Sequence, residues 1–258
     1  MQEAEAQRQY WDAISGEYRA ITRINVQDFH YGPMIAGEST LKLLPPLTKG
    51  MKALELGCGE GQNSRWLARR GVQCVAVDVS EGQLCYARKD AMQEGLAIDF
   101  QCCPIEAFDA PDESFDLITS SHAFEFLTEP FAQIQRITHC LKPGGWWILS
   151  TVHPVYNGEW VSLDEDDGSE VWGRFLPNYF TPVDDIREQP NGSGDAIVSR
   201  AWPVSAWFNG FRKAGVRIER LEEPQGISSP AYESDDWREA FDEVSAIPTT
   251  LILVGRKI

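Results

Sequence analysis

A chain of 258 residues, 43% of them hydrophobic, is long enough for one large α/β domain with an elaboration and too short for two full domains. Lys and Arg number 23 against 39 Asp and Glu, and the resulting formal charge of −16 would repel a phosphate backbone, which argues against nucleic acid as a partner. The N-terminus shows no basic start followed by an apolar core, and no stretch approaches the roughly 18 apolar residues of a membrane span. A cytoplasmic protein without a membrane partner is therefore expected.

Residues 3–20 place Tyr10, Trp11, Ile14 and Tyr18 at approximately helical spacing. An irregular stretch holding His30-Tyr31-Gly32-Pro33 follows, and a second helix is expected over Glu38–Leu44, stopped by Pro45-Pro46. Residues 1–48 thus read as an N-terminal helical cap on a domain spanning 49–258. That domain opens with a strand over Lys52–Leu56, a helix over Gln62–Arg70 closed by Gly71, and a strand over Val72–Asp78. Ser80-x-x-Gln83 is a capping box for the next helix, which Gly95 ends. Strands are expected over Ile98–Cys102, Phe115–Ser120 and Trp146–Thr151. The helix before the last of these shows a buried stripe of Phe131, Ile134, Ile137 and Leu141.

The rhythm then breaks. Residues 152–203 carry an acidic run (164–167) and a glycine-rich turn (190–194) between segments containing Trp160, Trp172, Phe175, Tyr179, Phe180 and Trp202. So many aromatics point to an ordered, substrate-side lid. A helix over Val204–Ala214, a strand over Val216–Leu221, a short helical piece over Asp235–Val244 and a strand over Leu251–Arg256 complete the pattern. The six cysteines (58, 74, 85, 102, 103 and 140) have no C-x-x-C spacing and read as small buried hydrophobes, with no metal site expected.

The chemistry is concentrated in Leu54-Glu55-Leu56-Gly57-Cys58-Gly59-Glu60-Gly61, which turns an apolar strand into a helix start, and in Asp78 at the tip of the next strand. Alternate glycines allow φ > 0 and close approach of a ligand to the main chain, and an acid 21 residues after the first glycine can accept ribose hydroxyls. A dinucleotide fingerprint needs its third glycine at position 62, where Gln62 stands, so an NAD-dependent oxidoreductase is disfavoured. The pattern Glu-x-Gly-x-Gly-x-Gly from Glu55 to Gly61, with Asp78, Pro111-Asp112-Glu113-Ser114-Phe115-Asp116 and Leu141-Lys142-Pro143-Gly144-Gly145 in order, resembles the class I S-adenosylmethionine-dependent methyltransferases.

That resemblance implies a Rossmann-like α/β fold with a seven-stranded sheet in the order 3-2-1-4-5-7-6, strand 7 antiparallel. It also implies S-adenosyl-L-methionine as cofactor, S-adenosyl-L-homocysteine as product, and methyl transfer to a small molecule by in-line displacement, with oxygen or nitrogen favoured over carbon. The chain lacks the Asn/Asp-Pro-Pro-Tyr/Phe signature of nucleobase and amide methylation, since Ser120-Ser121-His122-Ala123 stands there. By the same resemblance Glu55, Gly57, Gly59 and Gly61 belong to the turn at the methionine end. Asp78 would hold the ribose, Val79 and Gln83 would lie near the adenine, and Ser120 and Ser121 near the sulfonium. Asn63 could add a hydrogen bond, and Tyr31 could meet the cofactor from the cap.

One departure from the family pattern concerns adenine recognition. Cys103-Pro104-Ile105-Glu106 replaces the Gly-Asp-Ala found in many relatives, and Pro104 offers neither carboxylate nor N–H. The Ile105 and Glu106 amides then remain for the ring edge. Sulfonium methyl transfer needs alignment more than acid–base chemistry, yet an acceptor that must lose a proton benefits from a histidine. His153, His122 and His30 are the candidates, His153 first because it follows the fifth core strand, with His139 left to a mid-helix packing role. The expected partners are a small-molecule substrate and, as an assembly left open, a second copy in a homodimer. A cofactor-binding regulatory protein without transferase activity is the alternative.

Overall fold

The computed structural model describes residues 2–258 except 165, 193, 236, 237 and 239–244. In chain order the elements are α1 (Gln2–Ile21), β1 (Thr22–Ile24), α2 (Glu38–Leu41), β2 (Lys52–Leu56), α3 (Gln62–Ala68), β3 (Gln73–Asp78), α4 (Glu81–Gln93) and β4 (Ile98–Cys102). They continue with β5 (Phe115–Ser121), α5 (Pro130–Thr138), β6 (Leu141–Val152), β7 (Glu159–Asp164), β8 (Glu170–Phe175), β9 (Asp184–Arg187) and β10 (Ile197–Arg200). The chain closes with α6 (Val204–Lys213), β11 (Val216–Glu222), β12 (Tyr232–Ser234) and β13 (Thr250–Lys257). The helical piece expected over Asp235–Val244 falls mostly outside the described residues.

Seven strands form one sheet in the order β4-β3-β2-β5-β6-β13-β11. Counted along the core strands this is 3-2-1-4-5-7-6, and β13 runs antiparallel to both neighbours. Both faces are apolar because successive residues of a strand point to opposite sides. Leu251 and Leu253 enter the cluster with Trp147, Trp207 and Phe211, whereas Ile252 and Val254 enter the cluster with Trp66, Leu67 and Phe29. Helices α5 and α6 cover the first face, and α3 with the 29–43 segment covers the second.

The strand order reverses between β2 and β5, which both end at the same edge. A cleft opens there, as parallel α/β sheets require. Helix α1 lies over this edge. Asp12 Oδ1 accepts from Gly82 N at 2.8 Å and from Ser80 Oγ at 2.7 Å, capping the start of α4 from outside. Arg19 bridges Glu60 and Asp90, and β1 pairs antiparallel with β12.

Several expectations are adjusted. The second helix is one turn, because Lys42 turns left-handed (φ 52°). The capping box is half formed: Ser80 accepts from Gln83 N, but Asp78 Oδ1 takes the Ser80 amide at 2.9 Å, which leaves the Gln83 side chain free of that duty. Leu141 begins β6 instead of extending the α5 stripe. Residues 152–203 form two antiparallel ribbons, β7–β8 and β9–β10, in which Trp202 packs on Phe131 while Phe175 and Phe180 face solvent. Cys58, Cys74 and Cys140 are buried as expected, but Cys85 and Cys102 are exposed. Among the described residues no helix is long and apolar enough to cross a membrane, and no group of three or more His, Cys, Asp or Glu is arranged to hold a metal.

Candidate active site

The first cavity lies over the carboxyl ends of β2, β3 and β5 and is roofed by Gln7, Trp11 and Tyr18 of α1. Gly57 and Gly59 form its floor with φ of +69° and +52°, a left-handed conformation in which glycine avoids the Cβ penalty. At Gly57 a side chain would also collide with Ala123, so that position is closed to other residues twice over. Asp78 faces the same space. Its Oδ2 accepts from Gly59 N at 2.7 Å and its Oδ1 from Ser80 N, and burial raises its pKa against the pull of those amides. Glu55, buried beneath the turn, accepts from Ser64 Oγ, and desolvation pushes its pKa up to about 7. Val79, Gln83 and the Pro104-Ile105-Glu106 turn line the opposite side.

A second cavity of about 750 Å³ opens between α1 and the inserted ribbons. Tyr10, Ile14, Tyr156, Trp160, Arg174 and Arg187 are among its walls. Trp11, Tyr18, His122, Phe126 and Tyr232 border both cavities. They mark where something held in one could react with something held in the other.

His122 follows β5 in a left-handed conformation (φ 55°), uncommon outside glycine and a mark of functional positions. Its Nδ1 lies 2.9 Å from Glu125 Oε1 and its Nε2 3.1 Å from Thr250 Oγ1. Glu125 is buried and also accepts from Thr151 Oγ1 at 3.2 Å. A buried carboxylate on Nδ1 selects the tautomer with the proton there, leaving the Nε2 lone pair as an acceptor. The cap loop approaches so closely at Gly32 that a Cβ would overlap the His122 ring.

The chain matches the family described as "Methyltransferase domain" over residues 54–149. It is 30% identical over 182 residues to the ubiquinone biosynthesis O-methyltransferase of Cereibacter sphaeroides, covering 67% of this chain and 74% of that protein. The chain belongs to the class I S-adenosylmethionine-dependent methyltransferases. The Ruegeria pomeroyi protein of the same name is 33% identical over 172 residues, covering 66% of this chain and 67% of its own length. In fold, the methyltransferase is similar to an S-adenosylmethionine-dependent methyltransferase from Mesorhizobium loti, with a TM-score of 0.65, 24% identity and coverage of 84% and 94% of the two chains. The cofactor is S-adenosylmethionine.

The first cavity of the methyltransferase fits that group. Its wall carries His30 Nδ1, Glu60 Oε1 and Gln83 Oε1, buried atoms with no hydrogen-bond partner among the described residues. Each such atom costs about 1–3 kcal/mol until a ligand satisfies it, and a polar nucleoside amino acid is a ligand of that kind. The structure brings Glu55, Gly57, Gly59, Asp78, Val79 and Gln83 to this cavity, together with Pro104, Ile105, Glu106 and Ser121.

Other residues singled out in the sequence stand elsewhere. Gly61 caps α3 and packs under Phe100. Ser120 Oγ donates to Leu56 O, and Asn63 clamps the cap loop by exchanging hydrogen bonds with the His30 main chain at 2.9 Å. Tyr31 is buried on Phe29 and donates to Glu38. His139 follows the end of α5 and is part exposed.

His153 lines neither cavity. Its Nδ1 accepts from Val155 N at 3.2 Å, which puts the proton on Nε2, and Nε2 donates to Glu223 at 2.7 Å. Burial further lowers its pKa. It therefore caps a 3₁₀ turn at the start of the insertion and is corrected here from candidate base to structural residue. Trp11, Tyr18 and Tyr232 were not singled out as site residues. The first two showed only a helical stripe, and nothing local to Tyr232 marks it.

The buried Glu55 carboxyl yields a pH signature. Its folded pKa, about 7, exceeds the ordinary value of 4.5. Its stabilising contribution is thus complete below about 4.5 and is lost as pH rises through about 7. Glu55→Gln keeps an acceptor for Ser64 and removes the titration. In urea melts at pH 5 and pH 8, the variant should lose less stability across the interval than the wild type, by about 2–3 kcal/mol. Parallel curves for the two proteins would show that Glu55 does not titrate there.

Proposed function

We propose that this methyltransferase is an O-methyltransferase acting on a hydroxyl of a small aromatic molecule, with His122 as the general base. The observation that carries this reading is His122, paired with Glu125 and standing on the wall shared by the two cavities. When bound, S-adenosylmethionine supplies an activated methyl group on sulfur. On the protein side, Gly57 and Gly59 would offer main-chain edges to the methionine end, Asp78 would accept from the ribose hydroxyls, and Val79 and Ile105 would hold the adenine. Trp11, Phe126 and Tyr232 exclude water from the junction and present flat faces to an aromatic ring. His122 Nε2, now beside Thr250 Oγ1, would receive the acceptor's hydroxyl proton as the oxygen–carbon bond forms and the methyl–sulfur bond breaks to leave adenosylhomocysteine, and Glu125 would stabilise the imidazolium.

The other titratable groups at the junction are poor bases. Burial raises the pKa of Tyr18 and Tyr232, which are hydrogen-bonded to each other and stay protonated. Burial lowers His30 to about 3, far too weak a base for a hydroxyl proton at neutral pH. The names of the relatives, O-methyltransferases of ubiquinone biosynthesis, agree with an oxygen acceptor. The test is incubation with S-adenosylmethionine and either catechol or 2-aminophenol, with product detection by mass spectrometry. Methoxy products from both are expected. Methylation confined to the amine nitrogen would overturn the reading.

A further inference from the structure

Arg174 is the least expected charge in the acceptor-side cavity. It sits on β8, half-buried, with its guanidinium over the ring of Tyr156 at 4.3 Å and the ring of Trp160 at 4.4 Å. Nη1 donates to Gly158 O at 2.6 Å, and Nε is buried without an acceptor. Among the described residues no carboxylate pairs with it. The chain has 39 acidic residues for 23 basic ones, so a cation without a carboxylate inside a cavity runs against the charge balance of the molecule.

The other charges on that cavity wall are matched. Arg187 pairs with Asp185 at 3.1 Å, and Glu125 pairs with His122. Arg174 borders the second cavity and not the first, so it stands away from the cofactor. Desolvation lowers its pKa, with no acid nearby to offset the cost. Both rings stand within cation–π range of the guanidinium and restrict its freedom before an anion arrives.

We infer that the methyl acceptor carries a carboxylate, which the Arg174 guanidinium receives while the acceptor's ring and hydroxyl reach the junction at His122. This rests on the second cavity being the acceptor site, as proposed above. A carboxylate suits the fork better than a phosphate, because its two coplanar oxygens match the planar guanidinium and it brings a single charge to a strongly acidic protein. A cavity of about 750 Å³ has room for a substituted benzoate.

The experiment is calorimetric titration of the full chain, saturated with adenosylhomocysteine, with 3,4-dihydroxybenzoate and with its neutral isostere 3,4-dihydroxybenzamide. The wild type should bind the acid about tenfold more tightly than the amide, the usual scale of a hydrogen bond to a charged group. Arg174→Met should remove that preference, and Arg174→Lys should restore part of it. Adenosylhomocysteine affinity should stay unchanged in both variants, which reports that they are folded. Equal affinity for acid and amide in the wild type would overturn the inference without recourse to any variant, and so would a preference that survives Arg174→Met.

Methoxy product from the same two compounds separates the two readings. An Arg174-dependent preference without O-methylation would overturn the oxygen acceptor and leave the carboxylate site standing. O-methylation of acid and amide without a binding preference would do the reverse.

Discussion

His122→Gln is expected to lower kcat for a phenolic acceptor by about 10²- to 10⁴-fold and to leave the affinity for adenosylhomocysteine within a factor of a few. Glutamine preserves a side chain able to reach Thr250 and the bulk that separates the two cavities. It cannot take a proton. Glu125→Gln should give a smaller loss, because Glu125 orients the ring and stabilises its charged form but does not touch the acceptor. Should methyl transfer in His122→Gln proceed at the wild-type rate, alignment alone drives the reaction and the histidine is a spacer.

Asp78→Ala is expected to weaken S-adenosylmethionine binding about a hundredfold, measured by calorimetry. Two losses combine in this variant. The ribose hydroxyls lose a charged acceptor, worth about 1.5–3 kcal/mol. The glycine turn also loses its anchor, because Asp78 holds the amides of Gly59 at 2.7 Å and Ser80 at 2.9 Å, and those main-chain positions shape the cofactor floor. Asp78→Asn, which keeps one acceptor oxygen, should fall between the two proteins. An unchanged dissociation constant in Asp78→Ala would exclude Asp78 as the ribose acid.

The cavity proposed to hold the cofactor was legible in the sequence because its residues are local. Gly57, Gly59 and Asp78 belong to one β2–α3–β3 unit, and the backbone conformation that brings them together is dictated by residues within about 20 positions of each other. Glycine is needed where φ is positive, and an acid at a strand tip must face the same edge as the turn. The seven-strand order was implied by the resemblance that the glycine turn, Asp78 and the motifs at 111–116 and 141–145 carry, and the sheet has that order.

The acceptor half depended on contacts the linear chain does not display. Sequence position favoured His153, at the end of a core strand, over His122. Tertiary structure gives His153 a main-chain donor on one nitrogen and Glu223 on the other, 70 residues away, and the base is therefore proposed to be His122. His122 meets Thr250 across 128 positions, and Tyr18 meets Tyr232 across 214. Composition and periodicity can say that such residues are buried, polar or aromatic. Which of them share a cavity wall is decided when α1 docks on α4 through Asp12 and β1 pairs with β12, because only then do Trp11, Tyr18 and Tyr232 border both cavities.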